Sequence, residues 1–450
     1  MTVEFNIENL KQLITERKLH EAREILAEQN EADLAEIISE LDAEQLPIAF
    51  RILPKELAAD TFSYLESDTQ EQLISAFSDK ELNYIIDNLF LDDTVDMIEE
   101  MPANVVKRIL KATDPVTRRE INELLKYPED SAGSIMTTEY VRLEESMTVK
   151  QSFDRIRKVG VDKETIYTCY VTNLKKELIG IVTVKDLLLS SRDAKISDIM
   201  EENAIYVNTL DDQEEVAHTF DKYNFLALPV VDKEKRLVGI ITFDDVIDVI
   251  QEENTEDIEI MNAITPSDKP YMKTSVLETY KKRIPWLLLL MISATFTGAI
   301  ISHFEAALAT YVVLTSYIPM LMDTGGNSGQ QASVSIVRGI SLDEIHFEDI
   351  FKIQGKELLV ALLCGITLAV ANFIKLILID RIKVMIALTV CGTLFFVVIV
   401  AKFVGCTLPI LAKKIKLDPA VMASPFITTI VDAVSLLLYF NIAKLILHIN

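Results

Sequence analysis

From Pro285 to Ile301 every residue is apolar or small, and no earlier stretch of the chain has an apolar run long enough to enter a bilayer. Further runs of spanning length lie at roughly 309–337, 356–379, 384–411 and 420–446. Such a chain cannot fold as one water-soluble globule and must divide into a soluble and a membrane part. Charge divides at the same place. Up to Tyr280 there are 30 basic and 59 acidic residues, and beyond it 14 and 10, so the first part carries about −29 and the second about +4. An acidic surface of this size repels phosphate backbones and anionic headgroups, which excludes nucleic acid as a partner and favours cations. Cys169, Cys364, Cys391 and Cys406 form no CxxC pair, so neither a zinc site nor a disulfide framework is indicated, and a reducing compartment is expected. The first residues lack the basic and apolar regions of a secretory signal.

Within the soluble part, Leu41, Leu53, Leu65, Phe77, Leu89 and Met101 recur every twelve residues. Between them apolar residues fall at helical spacing, as in Leu34, Ile37, Ile38 and Leu41, and Pro47, Pro54 and Pro102 mark the joints. This predicts an all-helical superhelix over 1–130 whose units bury their stripes on one another; an irregular helical bundle is the alternative.

A second repeat, with a period near sixty residues, aligns SIMTTEYVRL with DIMEENAIYV and ELIGIVTVKDLL with RLVGIITFDDVI. Each copy leads from an Ile-Met pair (Ile135 and Met136; Ile199 and Met200) through a helix to strands. It ends on Gly180, Thr183 and Asp186 in the first copy and Gly239, Thr242 and Asp245 in the second. The α/β pattern over 131–255 resembles tandem CBS domains. That resemblance implies ATP or another adenine nucleotide in the clefts, with Asp186 at a ribose and Lys185 and Phe225 nearby. The residues themselves equally allow Asp186 and Asp245 to cap the helices that follow. A connecting helix is expected over 256–283, leading into a five-helix membrane domain over 284–450.

One set of membrane-flanking loops holds Lys281, Lys282, Arg283, Arg338, Lys352, Lys356, Lys413, Lys414 and Lys416, against Lys375, Arg381, Lys383 and Lys444 on the other. The positive-inside rule then puts the N-terminal part in the cytoplasm and, with five spans, the C-terminus outside. Trp286 falls at the cytoplasmic interface. Lys402 lies inside the fourth span and must snorkel, pair or face a polar cavity.

Two segments do not suit a lipid-facing helix: PMLMDTGGNSGQQ (319–331) and SPFITTIVD (424–432). Asp432, about 18 Å into its span by helical rise, costs several kcal/mol if ionised in hydrocarbon. It therefore faces a wet pathway, is protonated, or bonds Thr428 and Thr429 one turn earlier. Asp323 sits nearer an end, as a helix cap would. A path lined by a carboxylate and neutral oxygens, without Cys or His, suits a hard cation that keeps its water shell. A two-fold axis would bring two Asp432 side chains to one pore.

Taken together, the acidic helical region, the paired CBS domains, the connecting helix and the segments PMLMDTGGNSGQQ and DPAVMASPFITTIVD resemble the MgtE family of magnesium channels over essentially the whole chain. The resemblance implies a homodimeric Mg²⁺ channel of the cell membrane, multi-pass, closed when its cytoplasmic domains bind Mg²⁺. It places Asp60, Asp92 and Asp96 opposite Asp245. It sets Asp248, Glu253, Glu256 and Asp257 toward the connecting helix and Asp418, with Asp212 and Glu214 as further metal candidates. One family carboxylate position is Asn224 here. Around Asp432 it puts Gly325, Gly326, Asn327 and the residues from Ser424 to Thr428. Two rival readings are an intramembrane aspartyl protease using Asp323 and Asp432, against which TGGNSG stands where such proteases show GxGD, and a CBS-regulated transporter of another divalent cation such as Mn²⁺ or Co²⁺, or of chloride or an organic ion, anions being disfavoured by the acidic pore.

Overall fold

The structure, a computed structural model, describes residues 7–267, 271–272, 274–422 and 424–448. It divides into two compact units, 1–249 and 250–450.

The first unit opens with ten helices, α1 to α10, between Ile7 and Leu124, each of seven to ten residues. Helices this short are marginal in isolation, so they persist by packing. The twelve-residue spacing corresponds to one helix plus one joint. Leu53 follows α4 (Leu46–Ile52), Leu65 follows α5 (Lys55–Ser63), and Met101 follows α8 (Leu91–Glu100). These residues, with Leu41 and Phe77, are buried in a shared core, and Leu89 packs at its edge. Pro54 and Pro102 occupy N-cap positions, where a missing N–H costs no helical hydrogen bond. The helical superhelix is thus present.

Two similar α/β modules follow. The first contains β1 (Tyr140–Glu144), α11 (Val149–Val159), β2 (Thr165–Thr172), β3 (Leu178–Thr183) and α12 (Val184–Leu189). The second contains β4 (Val207–Asn208), α13 (Gln213–Tyr223), β5 (Ala227–Val231), β6 (Leu237–Thr242) and α14 (Phe243–Met261). In each, the middle strand pairs parallel with the first and antiparallel with the third. The modules exchange their leading segments. Thr137 of the first bridges Ile240 of the second, and Glu201 of the second bridges Ile181 of the first. Glycine is required at these crossings: a Cβ on Gly239 would lie 2.6 Å from Met136 Sδ, and one on Gly180 would lie 2.8 Å from the Glu201 carbonyl oxygen.

In the second unit α14 ends at Met261 and α15 (Val276–His303) follows, the described residues between them being non-helical. The connecting helix expected over 256–283 is therefore two pieces, the first continuing α14 and the second running on into the apolar segment. Pro266, within the stretch between them, favours extended backbone on its N-terminal side. After the short α16 (Glu305–Thr310) come α17 (Ile318–Ser341), α18 (Ile350–Leu378), α19 (Val384–Lys414) and α20 (Ser424–Leu447). Side-chain register fixes their directions. Trp286 meets Phe426 and Phe304 stacks on Phe440, so α15 and α20 are parallel. Gln354 bonds Thr407 and Asn372 bonds Cys391, so α18 and α19 are antiparallel. Gly325 lies by Val397 and Val431, and Gly329 by Ala401 and Ile427, so α17 runs with α19 and against α20. Among the described residues, α15, α19, the α18 region (Phe347–Leu378) and the α20 region (Ala420–Leu447) are long and apolar enough to cross a membrane. The second apolar run, expected from 309, opens on the end of α16 and a 3-10 segment over Val312–Tyr317, and its long α-helix starts only at Ile318, where Pro319 opens α17.

Candidate functional site

The sixth residue of α17 is Asp323, in its second turn and not at its cap, and the ninth of α20 is Asp432, about 12 Å from that helix's start. Both line one cleft of about 430 Å³, with Ile318, Pro319, Met322, Gly326, Asn327 and Thr428. On α17 the cleft residues follow the helical stripe 319, 322/323, 326/327. Asp432 Oδ1 is buried without a hydrogen-bond partner among the described residues, and Thr429 donates instead to the Pro425 carbonyl at 3.0 Å. The intrahelical tether considered for Asp432 is thus not made by Thr429. Gly326 brings α17 against Thr428, while Gly325 is buried toward Val397, Val431 and Ser435. Ser424 begins α20, and its side chain lies outside the described residues.

Lys402 resolves differently from the cleft. It is buried, and its Nζ lies 3.7 Å from Glu357 Oε2 on α18. Nothing in the sequence spacing links these two residues, 45 positions apart.

The first unit gathers a second set of carboxylates. Asp92 and Asp96 on α8 and Asp245 at the start of α14 are held above their ordinary range, by burial first and then by neighbouring carboxylates: Asp93 and Glu139 at Asp92, Asp245 and Asp92 at Asp96, which reaches about 8, and Asp92 and Asp244 at Asp245. Asp60 on α5 adds to the field at Asp93, itself pushed up to about 7 by burial and by Asp245 and Asp244. Two members come from the α/β modules and were not foreseen. Glu164, which precedes β2, is pushed up to about 9 by burial and by Asp92 and Asp245. Glu139 accepts from the Leu91 backbone N–H at 3.2 Å, capping α8 from outside. Asp245 also accepts from the Thr242 hydroxyl, and Asp186 accepts from the Thr183 N–H at 3.1 Å, so both complete capping arrangements at their helices. Among the described residues no three His, Cys, Asp or Glu side chains form a ready-made metal cage. A cation bound through its waters does not require one.

Asp248 is raised by burial and by Asp244. In the second unit Asp257 is pushed up to about 6 by burial, with Asp418 and Glu253 adding charge, and it accepts a 3.4 Å bond from Ser341. Nearby, Ile260 and Met261 pack on Val337 of α17 and Ala420, so the acidic end of α14 is seated on the apolar bundle. Glu256 lies one residue before Asp257 on the same helix.

The remaining expected residues lie in the α/β modules. Asp212 caps α13 by accepting from Glu214 N–H, and Glu214 lies 3.7 Å from His218. Asn224 takes a left-handed conformation at the end of α13, which asparagine tolerates better than most residues. Lys185 and Asp186 are exposed on α12, and Phe225 stacks on Tyr223 at 5.5 Å.

Comparison with known proteins places these features. Three family models match: the MgtE intracellular N domain over 29–130, the CBS domain over 132–193 and 196–252, and a divalent cation transporter model over 318–442. The magnesium transporter MgtE of Thermus thermophilus is 35% identical over 98% of this chain and 98% of its own length. That of Bacillus subtilis is 30% identical over 97% and 96%. A solved structure described as the cytosolic domain of the Mg²⁺ channel MgtE in complex with ATP matches with a TM-score of 0.52 and 38% identity, covering 54% of this chain and all of that one. The chain is a multi-pass membrane protein with cytoplasmic N-terminal domains, and it belongs to the MgtE family of magnesium transporters.

Proposed function

We propose that the chain is the subunit of a homodimeric, Mg²⁺-selective channel in the cell membrane, with five membrane crossings and its C-terminus outside. In this reading Asp432 is the charged element of the pore and cytoplasmic Mg²⁺ closes it. The observation that carries the reading is Asp432, whose Oδ1 lacks a partner among the described residues beside a cleft shared with Asp323 and Asn327. Asp323, Asn327, Gln331 and Ser335 recur every four residues as an exposed polar stripe on α17. Such a stripe is costly against lipid and reasonable against water and a second copy. A hydrated Mg²⁺ needs only a few carboxylate and amide oxygens to hold its waters, which Asp432 and Asn327 supply, with Gly326 and Thr428 in the wall and Gly325 packed behind it.

Closure follows from the carboxylates of the first unit. Two charges about 5 Å apart repel by about 3 kcal/mol at an effective dielectric near 20. Mg²⁺ among Asp60, Asp92, Asp96 and Asp245 removes that repulsion and favours the packed arrangement. Asp248, Glu253, Glu256, Asp257 and Asp418 act likewise along α14 and at its seat. Asp212 and Glu214, engaged at α13, are the weakest of the metal ligands. ATP or another adenine nucleotide occupies the CBS clefts through Lys185, Asp186 and Phe225.

Asp323 and Asp432 do share a cleft, as an aspartyl protease would ask, but relatives matched over their whole length are transporters. The test is reconstituted flux. Asp432→Ala removes Mg²⁺ entry while the protein elutes as the wild type does, and undiminished entry overturns the pore role. Competing Mn²⁺ and Co²⁺ in the same assay decide selectivity.

A further inference from the structure

A second cavity, of about 180 Å³, lies at the other end of α17 from its proline, lined by Ile340, Ile345, Phe347, Ile410, Lys413 and Lys414, together with the exposed His346 and Glu348. It sits at the cytoplasmic membrane boundary. Helix α15 enters the bilayer from the cytoplasmic domains, α20 runs parallel to it, and α17 and α19 run against both, so the ends of α17 and α19 lie on the cytoplasmic side.

The cavity joins two unlike surfaces. Ile340, Ile345 and Ile410 belong to one apolar cluster with Phe347. Above them are the last two residues of α19, whose positive charge suits a helix C-terminus. Both ammoniums are held in place: Lys413 Nζ donates to the Ile340 carbonyl at 3.4 Å, and Lys414 Nζ lies 3.5 Å over the Phe347 ring. Neither has a carboxylate within ion-pair distance among the described residues. Each retains donors, since an ammonium has three.

We propose that this cavity binds the headgroup of an anionic phospholipid of the cytoplasmic leaflet, its phosphodiester on Lys413 and Lys414 and its glycerol and first acyl carbons on Ile340, Ile345 and Ile410. Oriented cations over an apolar floor at this depth match the two halves of such a lipid, and basic pockets between spans on this side are suited to acidic headgroups. A soluble anion would use the lysines and leave the apolar floor unused. The site is separate from the Asp432 cleft and stands whether or not that cleft conducts.

The test is native mass spectrometry of the delipidated full-length protein with phosphatidylglycerol and with phosphatidylcholine of the same chains. The wild type retains phosphatidylglycerol preferentially. Lys413→Gln/Lys414→Gln weakens its binding about tenfold or more, Lys413→Arg/Lys414→Arg keeps it, and Lys352→Gln/Lys356→Gln, altering exposed lysines nearby, leaves it unchanged. Equal loss in both glutamine pairs would mean general surface charge and overturn the proposal, as would displacement of the lipid by millimolar inorganic phosphate. Should the glutamine pair not fold, photoactivatable phosphatidylglycerol on the wild-type protein decides. Adducts concentrate on peptides containing Phe347 and Ile410, and an even spread over all spans overturns the site.

Discussion

Lys402 on α19 and Glu357 on α18 form an ion pair of 3.7 Å within the apolar bundle, their side chains only 6% and 15% exposed. The pair ties α18 to α19, beside Ala401, whose carbonyl faces Gly329 of α17. Removing one partner of a buried pair strands the other charge, at a cost of about 3 to 5 kcal/mol, whereas removing both is often nearly neutral. Lys402→Met therefore lowers the melting temperature in detergent strongly, and Lys402→Met/Glu357→Leu recovers most of the loss. Equal losses in single and double variants would assign the effect to packing rather than charge.

The raised carboxylates of the first unit set a pH dependence. Asp93, Asp96 and Glu164 titrate at about 7, 8 and 9 in the folded chain, against about 4 unfolded. Between those values the folded state binds more protons than the unfolded one, so stability falls as pH rises through roughly 4 to 9. Without Mg²⁺, protection of the α8 amides in the full-length protein, corrected for intrinsic exchange, drops from pH 5 to pH 8. Added Mg²⁺ restores it at pH 8 and changes little at pH 5. Protection that rises with pH would show that these carboxylates do not repel one another in the folded chain.

What the sequence carries and what it hides separate along physical lines. The twelve-residue recurrence from Leu41 to Met101 is legible because a short helix and its joint repeat locally, and the apolar runs are legible because lipid demands them. Long-range partners are not. Glu139 and Glu164 join Asp92 and Asp245 only through docking of the helical region on the α/β modules. The reciprocal seating of Met136 on Gly239 and Met200 on Gly180 is hidden as well, since an aligned repeat does not say which copy its leading segment packs on. Asp323 lies near an end of its helix, as expected, but in the second turn and not at the cap, because α17 already starts at Ile318 with Pro319 at its opening.

In the proposed function, gating and conduction separate by residue. Neutralising Asp245, Asp248 and Glu253 together, as Asp245→Asn/Asp248→Asn/Glu253→Gln, leaves currents intact at low internal Mg²⁺ and removes their inhibition at high internal Mg²⁺. Patches that still close normally would reject a sensing role for this set.

A close backbone approach in the bundle gives the last prediction. A Cβ on Gly405 of α19 would lie 2.2 Å from the Gly329 carbonyl oxygen of α17, and the obstacle is backbone, which cannot turn aside. Gly405→Ala must therefore push α17 from α19. Because Gly329 and Gly325 also seat α17 on α20 through Ile427 and Val431, the displacement reaches the wall that carries Asp432. Overpacking of this kind costs about 1 to 3 kcal/mol or more, and small residues at such crossings are what let membrane helices approach. Gly392→Ala, on the same helix with open space around its Cβ, controls for helix propensity, and alanine there is neutral or slightly stabilising. The expected result is a lowered melting temperature and reduced Mg²⁺ flux for Gly405→Ala alone. Matching behaviour of the two variants would mean that α17 and α19 do not touch where this structure brings them together.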